Sequence, residues 1–149
     1  MSTSPIPAAL DAIVAAVKGA CPAAEVCDGS PVNTDADLVV VGYSSTPTTE
    51  AVTFTVTDAD TGRAQPLEVF DVTCEASSWR GGTNLSAVRV NAFAMVDAIT
   101  AAIDADPTLG RAIRGRATVS SGHLVQDPTT KGAVATVQFY VHVEAFRRP

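Results

Sequence analysis

Residues 135–144, Ala-Thr-Val-Gln-Phe-Tyr-Val-His-Val-Glu, alternate without a break: Ala135, Val137, Phe139, Val141 and Val143 are apolar, while Thr136, Gln138, Tyr140, His142 and Glu144 are polar. Side chains of a strand point to opposite faces in turn, so this pattern predicts a strand with one face on a core and one toward water. Such a strand needs paired neighbours and a layer to cover its apolar face. The rest of the chain supplies candidates for both.

Upstream, Ala117–Val125 reads as a strand, with Asp127-Pro128 and Lys131-Gly132 marking a loop before the last strand. Leu85, Val88, Ala92, Met95, Val96, Ile99 and Ile103 recur at helical spacing, with Thr83 or Asn84 as N-cap and Asp106-Pro107 as the stop. Ile6, Leu10, Ile13, Val14, Val17 and Cys21 make a second helical stripe, ended by Gly19 and Pro22. Between the helices lie a short strand at Ala24–Cys27, an exposed loop from Ser30 to Asp37, and Leu38–Val41, an apolar run expected to be covered on both faces. Ala51–Asp58 alternates, with Val52, Phe54 and Val56 on the face expected to be buried, and Pro66–Ala76 returns as its hairpin partner. Trp79 and Arg80 are expected on the loop that leads to the second helix. The order predicts an α+β fold: an antiparallel or mixed sheet with two main helices packed on one face, in a single domain over residues 1–149.

At 149 residues, 46% hydrophobic and 17% charged, the chain is long and apolar enough to bury about two thirds of its unfolded surface. No apolar run is expected to serve as a membrane span, and Met1-Ser2-Thr3-Ser4 carries no basic or apolar export signal. Synthesis in the cytoplasm is the expectation. Cys21, Cys27 and Cys74 are odd in number and irregularly spaced, which predicts free thiols rather than disulfides. With no Cys-x-x-Cys and with His123 and His142 distant in sequence, no metal site is expected.

No catalytic pattern stands out. Gly81-Gly82-Thr83 before a helix lacks the lysine of a phosphate loop, and Ser121-Gly122-His123 is not a nucleophile elbow. The acidic pairs Asp35 with Asp37 and Asp58 with Asp60 lack the spacing of a calcium loop. Net charge is −6, which opposes nucleic-acid recognition, yet residues 1–75 hold eleven acids against Lys18 and Arg63, and residues 76–149 hold eight bases against five acids. That division permits head-to-tail attraction between copies, although the halves are equally able to interleave in space. What remains as candidate contact surface is Trp79 and Arg80 with the face Thr136, Gln138, Tyr140 and His142, residue types common at protein interfaces and equally at home on a solvated face.

The N-terminal amphipathic helix, the turn Val26-Cys27-Asp28-Gly29-Ser30-Pro31, the strand Leu38–Gly42, the long alanine-rich helix, the turn Asp106-Pro107-Thr108-Leu109-Gly110 and the closing strand Val137–Ala145 together resemble the tail terminator (tail completion) proteins of long-tailed bacteriophages. The one departure is Arg111, which stands where a second glycine is expected after Leu109-Gly110. The resemblance implies a virion protein of the tail or neck, made in the bacterial host cytoplasm. It would form a homo-hexameric ring at the head-proximal end of the tail tube, end polymerisation of the tube-forming protein and meet the head connector or head-completion protein. DNA would pass through the channel without specific binding, and neither cofactor nor catalysis is implied. Asp35, Asp37, Asp58 and Asp60 are then expected on one side of the subunit contact. Arg80, Arg114, Arg116, Arg147 and Arg148 are expected on the opposite side or toward the partners above and below. A different neck or tail-tube ring protein is the near alternative, and a small-molecule-binding or enzymatic α+β domain the distant one.

Overall fold

The computed structural model describes residues 3–31, 37–46, 49–57, 65–82, 84–129 and 132–148. Two helices, α1 (Ile6–Ala20) and α2 (Leu85–Ala105), and six strands, β1 (Glu25–Asp28), β2 (Leu38–Val41), β3 (Val52–Thr57), β4 (Leu67–Arg80), β5 (Gly115–Thr129) and β6 (Gly132–Phe146), make the α+β architecture. The strands form one mixed sheet in the order β1-β2-β4-β6-β5. Only β1 and β2 run parallel. The alternating β6 pairs with β4 along the whole length of β4, from Leu67 opposite Phe146 to Arg80 opposite Ala133. The other edge of β4 is shared end to end: β3 takes Leu67–Val72 and β2 takes Cys74–Ser77.

Both helices lie on the sheet face carrying Phe70, Val72, Cys74, Phe139, Val141 and Val143, and Ala9, Ile13 and Val17 of α1 join Ile99 and Ile103 of α2 in that core. The helical spacing of the apolar residues fixes which side of each helix faces the sheet. Asn84 caps α2, its side chain accepting from the Ala87 N–H at 3.1 Å. Contrary to the expectation from the sequence, α2 is long and apolar enough, by length and composition, to cross a membrane. Here its Val88, Ala92, Ile99 and Ile103 are fully buried, which marks the packed stripe of a sheet-covering helix. Leu38–Val41 is buried at every position, as an interior strand should be.

Three local expectations are corrected. Trp79 and Arg80 are the last residues of β4 rather than loop residues, because β6 continues to offer a pairing edge as far as Ala133 and tertiary pairing overrides the weak strand propensity of Ser77-Ser78. Asp127 and Pro128 belong to β5, which runs on to Thr129 opposite Gly132. Proline is tolerated there because β5 is an edge strand. The hairpin of β3 with β4 forms, but the face of Val52, Phe54 and Val56 is only partly buried: Val52 packs against the core, whereas Phe54 is 56% exposed.

The turn after α2 is left-handed through three successive residues, Leu109 (φ 53), Gly110 (φ 66) and Arg111 (φ 65). Two of these carry side chains, each at a cost of about 1–2 kcal/mol, and the surroundings hold them there. Leu109 and Ile113 are buried, the Gly110 N–H donates to Asp106 Oδ2 at 2.8 Å, and the Arg111 N–H donates to Thr108 Oγ1 at 3.2 Å. Directly after the turn, Gly115 packs so tightly on β6 that an added Cβ would overlap the Glu144 carbonyl oxygen. Gly115→Ala should therefore push the β5–β6 ladder apart and lower unfolding free energy by about 2 kcal/mol, read by urea denaturation. An unchanged midpoint would show that the ladder yields there at no cost.

Candidate interaction surface

The polar face of the sheet, opposite the helices, is built from alternate residues of β4, β6 and β5. Its groups are largely bonded to one another. Gln138 is buried and its amide donates to Ser44 Oγ at 2.6 Å. Glu75 is buried beside it, accepting from the Ser45 N–H at 2.7 Å and from the Ser45 hydroxyl at 3.0 Å. Both are covered because the chain after β2 folds back over this face. Thr136 shares a hydrogen bond with Ser77 at 3.1 Å, and Tyr140 is half-buried opposite Thr73. His142 stands between two carboxylates, Nδ1 at 2.8 Å from Asp71 and Nε2 at 3.4 Å from Glu144. The Asp71 hydrogen bond outweighs burial and, with a smaller contribution from Glu144, holds its imidazolium above the ordinary 6.5.

The charged residues expected on opposite sides of a subunit contact meet within one chain. Arg80 grips Asp37 with both guanidinium nitrogens, at 2.8 and 3.1 Å, and Ser78 donates to the same carboxylate at 2.8 Å. The Arg80 hydrogen bond is the main reason that the Asp37 carboxyl lies below its usual range. Arg147 donates to Glu68 at 2.9 Å, and Glu68, fully buried, also accepts from Ser4 at 2.8 Å. The two chain ends are thereby joined, with the Arg148 N–H donating to the Thr3 carbonyl at 2.9 Å. Arg114 reaches Gln65 at 2.7 Å, and Arg116 stands exposed opposite Glu144 on β6. Trp79 is half-buried opposite Val134. Asp35, Asp58 and Asp60 lie outside the described residues.

Glu68 and Glu75 were missed as structural partners. Glu68 had a signal: it shares the alternation of Phe70, Val72 and Cys74, so a carboxylate was bound for the covered face and needed a cation. Glu75 had none, because its burial depends on where Ser45 returns.

Cavities among the described residues are shallow and apolar. One of about 560 Å³ lies between the ends of α1 and α2, lined by alanine and glycine with Asp106 as its charged group. Another, of about 310 Å³, is a groove between α2 and β5. Cys74 is inert by burial, which pushes its thiol up to about 12, and burial also raises Cys21. The same residues include no group of three or more His, Cys, Asp or Glu side chains placed to hold a metal.

No family model and no curated protein matches the chain. Among solved structures the chain is similar to a component of the "Virion of native gene transfer agent (GTA) particle", at 16% identity and a TM-score of 0.35, over 90% of this chain and 84% of that one.

Two outcomes follow from the pairs. Arg147→Ala leaves Glu68 buried without its cation and should cost about 3 kcal/mol in urea unfolding, part of which Glu68→Gln in the same chain restores; a loss in the double variant equal to the sum of the two single losses would mean the pair does not couple. The His142 pKa is raised by folding, so its contribution to stability is complete below 6.5 and fades as pH rises through the folded value. An NMR titration should find its midpoint above 6.5, and Asp71→Asn should bring it down; a midpoint indifferent to Asp71 contradicts this assignment.

Proposed function

We propose that the chain is a structural virion protein of a phage-like particle, and more specifically a tail terminator. In this reading it closes as a hexameric ring on the head-proximal end of the tail tube, stops polymerisation and presents its other side to the head connector, with DNA passing through the ring.

The observation that carries this reading is the turn after α2. The resemblance called for a second glycine where Arg111 stands, and Arg111 takes φ 65, a left-handed backbone of the kind glycine adopts readily. The sequence departs from the pattern while the backbone keeps the geometry that such a glycine would serve. The order of elements also agrees with the resemblance, from the N-terminal amphipathic helix to the closing strand. Other ring proteins of a phage neck or tube are the neighbouring reading. No specific observation favours an enzymatic one.

Deleting the gene from its phage tests the assignment. Heads without attached tails and tubes of irregular length are expected, and electron micrographs of tails with labelled protein should show the label at the head-proximal end. Normal virions from the deletion refute the reading, and label along the whole tube replaces it with a tube subunit.

A further inference from the structure

The segment between α2 and the body of β5, Arg111-Ala-Ile-Arg-Gly-Arg116, turns its apolar residue inward and its cations outward. Ile113 is buried, while Arg111, Arg114 and Arg116 are exposed. The Phe146 N–H donates to the Arg114 carbonyl at 3.0 Å, so the β5–β6 ladder runs one residue beyond Gly115. Arg114 and Arg116 therefore stand on the same side of the strand, two steps or about 6.6 Å apart along it. Arg148, also exposed, reaches the same segment, with Nη2 at 3.4 Å from the Ala112 carbonyl.

These cations differ from Arg80 and Arg147, which are matched by carboxylates of their own chain. Among the described residues no carboxylate lies within ion-pair distance of Arg111, Arg114 or Arg116. The nearby acids are engaged elsewhere: Glu144, opposite Arg116, faces His142, and Asp106 accepts from the Gly110 N–H and the Thr108 hydroxyl. Arg114 meets only the neutral amide of Gln65. Arg111 keeps its side chain at a left-handed position, φ 65, that glycine would occupy without strain. The result is a ridge of uncompensated guanidinium groups on a chain whose other arginines are partly neutralised.

We propose that this ridge binds the phosphate backbone of a nucleic-acid duplex without regard to sequence. Guanidinium forks match phosphate oxygens, and the step from Arg114 to Arg116 is close to that between neighbouring phosphates of one strand. The exposed residues of the ridge are arginine and glycine alone, so it lacks the apolar centre of a protein interface and the aromatic side chains on which unpaired bases stack. The net charge of −6 opposes binding at long range, but charges are screened beyond about 8 Å at physiological salt, which leaves the ridge to act locally. The proposal stands on the ridge itself and is independent of the tail-terminator reading.

Fluorescence anisotropy of the full chain with a labelled random-sequence DNA duplex tests it. Binding is expected at about 50 mM salt and should weaken about 40-fold by about 200 mM, the counterion release of three phosphate contacts. Arg111→Gln, Arg114→Gln and Arg116→Gln in one chain should weaken it by about tenfold or more and flatten the salt dependence. Arg89→Gln, an exposed arginine of α2 likewise without an ion pair, should leave it unchanged. Arg111→Gln alone, which removes a side chain that makes no hydrogen bond in the fold, should lower the salt slope by about one even where the triple variant is unstable. No binding at low salt, equal weakening by Arg89→Gln, a salt slope indifferent to Arg111, or tighter binding of polyglutamate than of the duplex overturns the proposal.

Discussion

The pairing of β4 with β6 is the constraint on which the rest depends. These strands face each other over the whole of β4, and β2, β3, β5 and α2 are placed directly against one of them, with β1 and α1 following through β2 and α2. β6 holds β5 on its far side, while β4 holds β2 and β3 end to end on its own. The shared alternation of the pair makes one face apolar throughout, and that face seats both helices. A slip of one residue would turn Val137, Phe139, Val141 and Val143 to water and bring Gln138, Tyr140 and His142 under the helices. The register is thus fixed by burial over many residues rather than by any one turn.

What was legible follows from where the information lies. The strand β6, both helices and the buried β2 were readable because period, apolar content and stop signals sit within each segment. Phe54 was misplaced because alternation says only that a strand has two unlike faces. Whether the fold covers the apolar one is a question of tertiary placement, and along β3 the core reaches Val52 but leaves Phe54 exposed. Trp79 and Arg80 failed for the converse reason: Ser77-Ser78 and Gly81-Gly82 look like loop, and only the partner strand keeps them extended. Among the candidate contact residues, Gln138 and His142 were correctly placed on the polar face, but their partners Ser44 and Asp71 come from distant segments that no spacing rule connects.

The division of charge along the chain has a structural use that its linear reading only half anticipated. Asp37 with Arg80, Glu68 with Arg147, and Asp71 with His142 each join the acidic first half to the basic second half within one molecule. Of these acids only Glu68 is fully buried, so its pairing matters most: a carboxyl group under the sheet's covered end needs hydrogen-bond partners, and gets a guanidinium and a hydroxyl from opposite ends of the chain. The other two pairs are largely solvated, where ion pairs contribute about 0–1 kcal/mol each.

This internal neutralisation bears on how copies would meet. A patch whose acids already hold their own bases has little attraction left for a neighbour, and screening by salt reduces what remains. Under the self-assembly proposed above, selectivity between copies would fall to shape and apolar surface. Among the described residues the exposed large apolar side chains are Val90 and Phe93 on α2, Val125 on β5 and Phe54 on β3. Scattered apolar side chains on a surface need no explanation, but an aromatic at each edge of one sheet, on the same face, is a directional arrangement. Under the self-assembly proposed above, such an arrangement would suit contacts between unlike edges better than a two-fold contact that pairs like with like.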